Sequence, residues 1–375
     1  MEKHREIRNE IEKRIASGKY PPGSLLPTEV KLCTQFNAAR ATVAHALRSL
    51  QDSGMIFRRR GVGTFVSHPD EDSGRIKKIG LMIPGIGQGE IFEPVCSAIA
   101  AHAAQFNFRI SWNQIPDSRP EERQTATLNL CQKYIDEKMD GIFFEPLELT
   151  GDKDNINSRI VHLLGKAGIA VVLIDADLAY PQRSQLDLIG IDNFRAGTVL
   201  AEHLLDRGCR SPFFLHRPGS ATTTQARAAG FLSVLAARGL PVSNRILEAD
   251  PDHPSVAEKL TQEMKADGIV CGNDYTAALL MKTLITAGVR IPGQIKLTGV
   301  DNLKYAQLLN IPLTTLAQPC REIGLAALEM MRFRLEQPSA LPRQLLLDAP
   351  LIIRESTGLG DSRTSKRKPT DTSKL

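Results

Sequence analysis

The sequence predicts an α/β protein in which a small helical head, ending in a basic hairpin, precedes a larger body of parallel sheets flanked by helices. Three observations predict this. Residues 26–66 pass from an amphipathic helix directly into two alternating strands. From Ile79 onward, short apolar runs alternate with helical stretches, the pattern of parallel α/β sheets. Positive charge is concentrated at the front: residues 1–68 hold twelve Lys and Arg against six Asp and Glu, a balance of +6, whereas the whole chain carries only +5.

The head reads in order. Ile7, Ile11 and Ile15 share one stripe of a helix expected from Lys3 to Ser17, and Gly18 closes it. Tyr20-Pro-Pro-Gly-Ser-Leu-Leu-Pro follows as a rigid turn, because prolines fix φ and remove donors. Thr28 is placed to N-cap a second helix with Glu29 in its first turn, and its hydroxyl could also reach a phosphate. In the next helix Val43, Ala46, Leu47 and Leu50 lie on one face, and Arg40, Thr42, His45 and Ser49 on the other. Gly54 is expected as its left-handed cap. Ile56 to Val66 then alternates as two strands around Arg60-Gly61-Val62. A helix followed by a basic hairpin suits a DNA major groove and the backbone beside it.

Leu26-Pro-Thr-Glu, Ala39-Arg-Ala-Thr-Val, Ala46-Leu, Gly54 and Arg60-Gly-Val-Gly-Thr-Phe-Val together resemble the GntR-family winged helix-turn-helix, over residues 3–67. The resemblance implies double-stranded operator DNA as a partner. Arg40 and Thr42 would meet bases or phosphates, and Gly61 and Gly63 would let the wing approach the minor groove beside Arg58, Arg59 and Arg60. Thr28, His45 and Thr64 complete the expected DNA-binding set. Ala39 stands where the family usually has serine, and Ala44 where a second basic residue is common, so the reading face carries less charge. A surface ion pair is the alternative role for Arg40, and a solvated helix surface the alternative for His45.

Between head and body, residues 69–78 are polar and contain Pro and Gly, as a linker would. The body then offers IGLMIP, FRISWN, GIFFEP, AVVLID, DLIGI, PFFLH, GIVCG and KLTGV as strands, too many for one sheet over a single core, so two lobes are expected. Asp175 after VVLI, Ile191-Asp-Asn, Ala196-Gly, Ala226-Arg-Ala-Ala-Gly-Phe, Gly272-Asn-Asp, Gly299-Val-Asp and Leu313-Thr-Thr-Leu-Ala-Gln-Pro resemble, in order and spacing, the LacI/GalR effector-binding core over residues 77–356. That core is similar to periplasmic sugar-binding proteins, and the resemblance implies two lobes that close on a small ligand. A polyhydroxyl ligand needs paired donors and acceptors at strand ends. Arg227 can offer a fork, Asp301 can accept from two hydroxyls, and Asn273 can do both. These three, with Asp175 and Gln318, match the family's ligand-contacting positions. Bracing a helix start is the alternative for Arg227, and strand-end or hinge roles are the alternatives for Asp175 and Gln318. Phe92 and Trp112 could each stack on a sugar face or belong to the core. The aromatic that the family often carries near 250–256 is replaced by His253.

Exclusions narrow the class. The 375 residues suit two or three domains, and 42% hydrophobic content supports real cores. No run of 18 apolar residues occurs, and the charged start lacks a secretory core, so a cytoplasmic protein without membrane contact is expected. Cys33, Cys96, Cys131, Cys209, Cys271 and Cys320 are scattered without CxxC pairing, as reduced core thiols are. Gly85-Ile-Gly-Gln-Gly89 hints at a dinucleotide loop, but Glu90 replaces the third glycine, so it reads as a cleft loop. Nucleophile elbows and metal-ligand spacings are missing, so neither catalysis nor a cofactor or metal is expected. The expected domains are thus a winged helix over 1–68, a linker over 69–78, a two-lobed effector domain over 79–356 and a basic, disordered tail over 357–375.

Together the halves resemble the arabinose-repressor architecture, a GntR-type head on a LacI-type body. The resemblance implies a repressor of carbohydrate-utilisation genes, released from DNA by a monosaccharide bound between the lobes. A purine or phosphorylated-sugar effector, or an activating role, is the alternative. Paired half-sites imply a homodimer.

Overall fold

The computed structural model describes residues 3–52, 55–59, 63–66, 75–83, 91–113, 115 and 119–358, with Asp52 and Arg59 described by backbone only. They divide between Ile76 and Lys77 into two units. Gly54, residues 60–62, 69–74 and 85–89, and the tail beyond Gly358 lie outside the described residues.

Apolar spacing builds the head. α1 (Lys3–Ala16), α2 (Glu29–Phe36) and α3 (Arg40–Asp52) enclose one core of Ile7, Ile11, Leu26, Leu32, Val43, Ala46, Leu47 and Leu50, closed by Ile56 and Val66. Asn37 ends α2 in the left-handed region, at φ 43°, which makes the tight turn into α3. β1 (Ile56–Arg59) pairs antiparallel with β2 (Gly63–Val66). The proline-flanked segment before α2, expected only as a turn, also joins this ladder. Leu26 N–H donates to the Thr64 carbonyl at 2.8 Å, and Val66 N–H donates to that of Ser24 at 2.9 Å.

In the body, β3 (Lys77–Met82) starts inside the stretch expected as linker. It is followed by α4 (Phe92–His102), β4 (Phe108–Trp112), α5 (Pro120–Asp136), β5 (Gly141–Phe144), α6 (Lys153–Lys166), β6 (Ala170–Ile174) and β7 (Asp187–Ile191). The chain crosses at Asp192 to a second lobe of α7 (Asn193–Asp206), β8 (Pro212–His216), α8 (Thr222–Ala237), β9 (Ile246–Glu248), α9 (Ser255–Glu258), β10 (Gly268–Cys271), α10 (Asp274–Thr286), β11 (Lys296–Asp301) and β12 (Thr314–Ala317). It returns through α11 (Cys320–Glu336) and β13 (Gln344–Leu347), then crosses again into β14 (Leu351–Ile352). Among the described residues each lobe holds a six-stranded sheet, ordered β13-β7-β6-β5-β3-β4 and β14-β12-β11-β10-β8-β9. Every pairing is parallel except β12 with β14. Parallel strands covered on both faces read as continuous apolar runs, which is why these segments were visible in the sequence.

Two packing features fix the elements that carry the cleft. α7 and α8 touch backbone to backbone: a Cβ on Gly197 would overlap the Arg227 carbonyl, and one on Gly230 that of Phe194. Asp187, fully buried, accepts from Arg334 Nε at 2.7 Å and Nη2 at 3.1 Å, and from the Arg343 backbone N–H at 2.7 Å. That pair fastens α11 and the approach to β13 onto β7. Thr357, expected as the first tail residue, is buried and bonded to Thr314 and His203. The cysteines are unpaired, and burial pushes the thiols of Cys96, Cys209 and Cys320 up to about 12, so they stay protonated.

Candidate functional site

The head presents Arg40, Thr42 and His45 on α3 and Arg58 and Thr64 on the wing, opposite one another in the β1–β2 register. Thr28 caps α2, its hydroxyl oxygen accepting from Lys31 N–H at 3.4 Å. Glu29 ties these parts together: its carboxylate accepts from Arg40 Nε at 3.3 Å and pairs with Arg58. Partial burial opposes the charge on Glu29, but the hydrogen bonds from Arg58 and Arg40 outweigh it and hold the carboxyl below its ordinary range. Arg40 therefore makes the surface ion pair that was its alternative role, yet 80% of its side chain stays exposed and reachable. His45 is exposed, its ring edge-on to His4 at 4.4 Å. Ser49 is bonded to Arg8 at 3.1 Å instead of facing outward freely. Gly63 adopts φ 149°, a conformation suited to glycine, with the Leu25 side chain where a Cβ would stand. Arg60 and Gly61 lie outside the described residues, and Arg59 ends β1.

In the body, Phe92, Asp175, Arg227, Asn273, Asp301 and Gln318 line one cavity between the lobes. Its free volume is about 60 Å³, so the lobes meet closely around these side chains. The topology brings them together because loops at the carboxyl ends of parallel strands share one edge: Asp175 follows β6, Asn273 follows β10, Asp301 ends β11 and Gln318 follows β12. Trp112 is 58% exposed at the end of β4 and does not line the cavity, nor does His253, which bonds Ser255. Trp112 therefore gives this cavity no stacking surface, and Phe92 is buried in the core while lining the cavity.

Arg227 combines its two possible roles. Only 3% exposed, it donates Nε–H to Asn193 Oδ1 at 2.7 Å and Nη1–H to the Gly272 carbonyl at 2.6 Å, bracing α7 and β10. Its other N–H groups, including both on Nη2, have no partner among the described residues. Asn273 caps α10, its Oδ1 accepting from Thr276 N–H at 2.9 Å, which leaves its amide NH2 for a ligand. Gln318 Nε2 donates to Asp301 Oδ1 at 2.8 Å. Asp175 Oδ1 is buried without a donor among the described residues, an unmet acceptor of the kind a ligand hydroxyl satisfies. Asp175 and Asp301 also sit at φ 69° and 118°, strained values for a side-chain-bearing residue and typical of binding sites.

Burial sets the electrostatics. It pushes the Asp175 carboxyl up, opposed by Arg227 and Gln318, and pushes that of Asp301 up further, opposed by Arg227 and reinforced by Asp274. Asp274 lies behind the cleft, raised to about 7 by burial although it accepts from Thr315 and the Leu303 N–H. Glu145, Glu148, Thr223 and Thr224 also line the cavity and were missed in the sequence. In GIFFEPLE two carboxylates follow a strand as Asp175 follows another, but loop carboxylates are ordinarily solvated and do not by themselves mark a site. No group of His, Cys, Asp and Glu among the described residues could hold a metal ion.

Fold and sites define a class: a winged helix-turn-helix head joined to a two-lobed body of the ligand-binding type. Residues 3–66 match the bacterial regulatory proteins of the gntR family, and residues 201–357 match a periplasmic binding protein-like domain. The chain thus combines a gntR-family head with a periplasmic binding protein-like body. The arabinose metabolism transcriptional repressor of Geobacillus stearothermophilus is 26% identical over 368 residues, spanning 95% of this chain and 98% of the repressor. Among solved structures, the transcription regulator CcpA of Lactococcus lactis aligns over 75% of this chain and 99% of its own, with TM-score 0.64 and 18% identity. A LacI family regulator from Enterococcus faecium with bound ribose aligns over 75% and 99%, with TM-score 0.59 and 22% identity. The gntR family consists of regulatory proteins, and the relative and both neighbours are transcription regulators. No helix among the described residues is long and apolar enough to cross a membrane.

Proposed function

We propose that this chain is a sequence-specific DNA-binding transcription regulator, a repressor of carbohydrate-utilisation genes that leaves its operator when a small neutral sugar fills the cleft. The observation that carries the reading is the cleft itself: a guanidinium with spare N–H groups, an amide and several carboxyls converge on one cavity at the strand ends. The arabinose repressor relative and the ribose-bound neighbour favour a pentose. Carboxylates outnumber the single guanidinium, which disfavours phosphorylated sugars.

Residues 1–68 would read the operator, with Arg40, Thr42 and His45 in the major groove and Arg58 to Thr64 on the wing. Residues 79–356 would bind the effector. Paired half-sites call for a homodimer acting on cytoplasmic DNA. A coupling of about 1–3 kcal/mol between the sites would give a 5- to 150-fold change in operator affinity. A thermal-shift panel of neutral monosaccharides, their phosphates and nucleobases tests the effector class, followed by release of DNA from the regulator's own promoter region. An effector at a hundred times its Kd should add about 2.7 kcal/mol of stability. Stabilisation by a phosphate ester or a nucleobase, with neutral sugars silent, would refute the sugar reading.

A further inference from the structure

Glu148 lies where the sequence motifs placed no ligand contact. It follows β5 in the first lobe, and its Oε2 accepts the N–H of Ala221, in the second lobe, at 2.8 Å. Two bonds accompany it. Leu149 N–H donates to the Gly219 carbonyl at 2.7 Å, and Thr222 Oγ1 donates to the Asp177 carbonyl at 2.7 Å. All three tie loops after β5 and β6 to the segment that opens α8, and none runs through the chain crossings between the lobes. The same Glu148 lines the cavity beside Asp175 and Arg227. Its Oε1 has no donor among the described residues.

We propose that Glu148 determines both ligand specificity and lobe closure: Oε1 accepts a hydroxyl of a bound neutral polyol while Oε2 holds the Ala221 N–H of the opposite lobe. The inference rests on the cleft being the effector site. A carboxylate accepting an O–H and an N–H at once is fixed in one rotamer by two charge-assisted bonds, each stronger than a neutral pair. Without the hydroxyl, the Ala221 N–H alone holds the carboxylate, so its rotamer is less firmly fixed and the clasp is weaker. A ligand that places no hydroxyl at Oε1 then binds weakly and leaves the lobes less tightly joined.

The test uses the full chain, with arabinose, ribose and xylose as probes and ribose 5-phosphate as the anionic control. Calorimetric titration gives affinity, and amide hydrogen exchange over residues 147–150 and 219–222 reports the clasp. In the wild type, the pentose that binds should slow exchange in both segments by about tenfold or more. In Glu148→Gln the amide oxygen can keep the Ala221 bond but presents NH2 to the ligand. Affinity should therefore fall about 10- to 150-fold, the size of one charge-assisted bond, while much of the protection stays. Glu148→Ala should lose both. Wild-type affinity and protection in Glu148→Ala would overturn the proposal and leave the cleft reading standing. Weakened affinity with wild-type protection in Glu148→Ala would overturn it as well, since Glu148 would then have no hold on the opposite lobe. If no pentose binds the wild type, or Arg227→Ala binds it normally, the cleft reading fails and the proposal falls with it.

Discussion

Replacing Arg227 by Ala should abolish the response to effector while leaving operator binding intact, and the structure sets the size of the effect. The guanidinium is 3% exposed and spends two donors on Asn193 Oδ1 and the Gly272 carbonyl. Hydrogen bonds to a charged group contribute roughly 1.5–3 kcal/mol each, so two lost bonds cost about 3–6 kcal/mol. Water can enter from the cleft and meet both stranded acceptors, which places the loss near 3 kcal/mol. Burial pushes the neighbouring carboxyls of Asp175 and Asp301 up and Arg227 opposes this, so losing the guanidinium should raise both further. For the ligand, one lost charge-assisted bond weakens binding about 10- to 150-fold, and a lost fork weakens it more. Urea unfolding gives the stability of the variant, and anisotropy of labelled promoter DNA gives operator affinity with and without sugar. The expected result is a destabilised body, unchanged DNA affinity and no release at sugar levels that release the wild type. Release of Arg227→Ala at the wild-type sugar concentration would refute the assignment.

Three further outcomes are expected. Arg40→Ala should weaken operator binding by about 1 kcal/mol or more and leave sugar titrations unchanged; equal operator affinity would mean that its pair with Glu29 is its whole role. Gly197→Ala should lose about 2 kcal/mol in urea unfolding, because the new methyl meets the Arg227 carbonyl and forces α8 away, whereas Gly165→Ala, in open space on α6, should gain up to about 1 kcal/mol. Burial lowers His203 from 6.5 to about 4 while Nε2 meets Thr357 Oγ1 at 3.0 Å, so the unfolded chain takes up its proton first as pH falls. Its contribution is complete above pH 6.5 and is lost toward pH 4, on the order of 3 kcal/mol; His203→Gln should flatten the stability profile across that window, and an identical slope would contradict the assignment.

What was legible in the sequence follows from where burial leaves a local mark. Strands such as AVVLI and GIFF are covered on both faces and so appear as unbroken apolar runs. β13 does not announce itself: Leu345 and Leu346 are each 42% exposed at a sheet edge, and its partner β7 is far away in sequence. The final crossing into β14, a strand of two residues, was invisible for the same reason. In the head, prolines around Ser24–Leu26 signal a turn, yet the ladder needs only one N–H and one carbonyl there, which the intervening residues supply. In the cleft, Arg227 and Asp301 were legible through spaced motifs. Glu145 and Glu148 were not, because acidic residues in a loop are ordinarily solvated and only the facing lobe makes these two unusual. The sequence likewise marked Glu29 as a helix-dipole residue, whereas its clasp on Arg40 and Arg58 needs the wing folded back beside α3.

The charge balance of the cleft argues for a neutral ligand on grounds independent of relatives. Glu145, Glu148, Asp175 and Asp301 share the cavity with one guanidinium. Burial pushes the carboxyls of Glu148, Asp175 and Asp301 up, so each takes a proton more readily than an exposed carboxyl, and a protonated carboxyl can donate as well as accept. A hydroxyl also does both, so a ring of hydroxyls finds partners under any distribution of those protons. A phosphate brings acceptors only, and Arg227 has already committed two donors to the protein. One negative charge held about 4 Å from a single ionised carboxylate costs about 4 kcal/mol at an effective dielectric of 20, close to a thousandfold in affinity. The 5-phosphate of whichever pentose binds should therefore bind at least about a hundredfold more weakly at pH 7, even if Arg227 recovers part of the cost. Because protonating the carboxyls removes the repulsion, the gap between sugar and phosphate should narrow as pH falls. Equal affinities at pH 7 would show that the carboxyls are neutral there, and discrimination would then rest on shape.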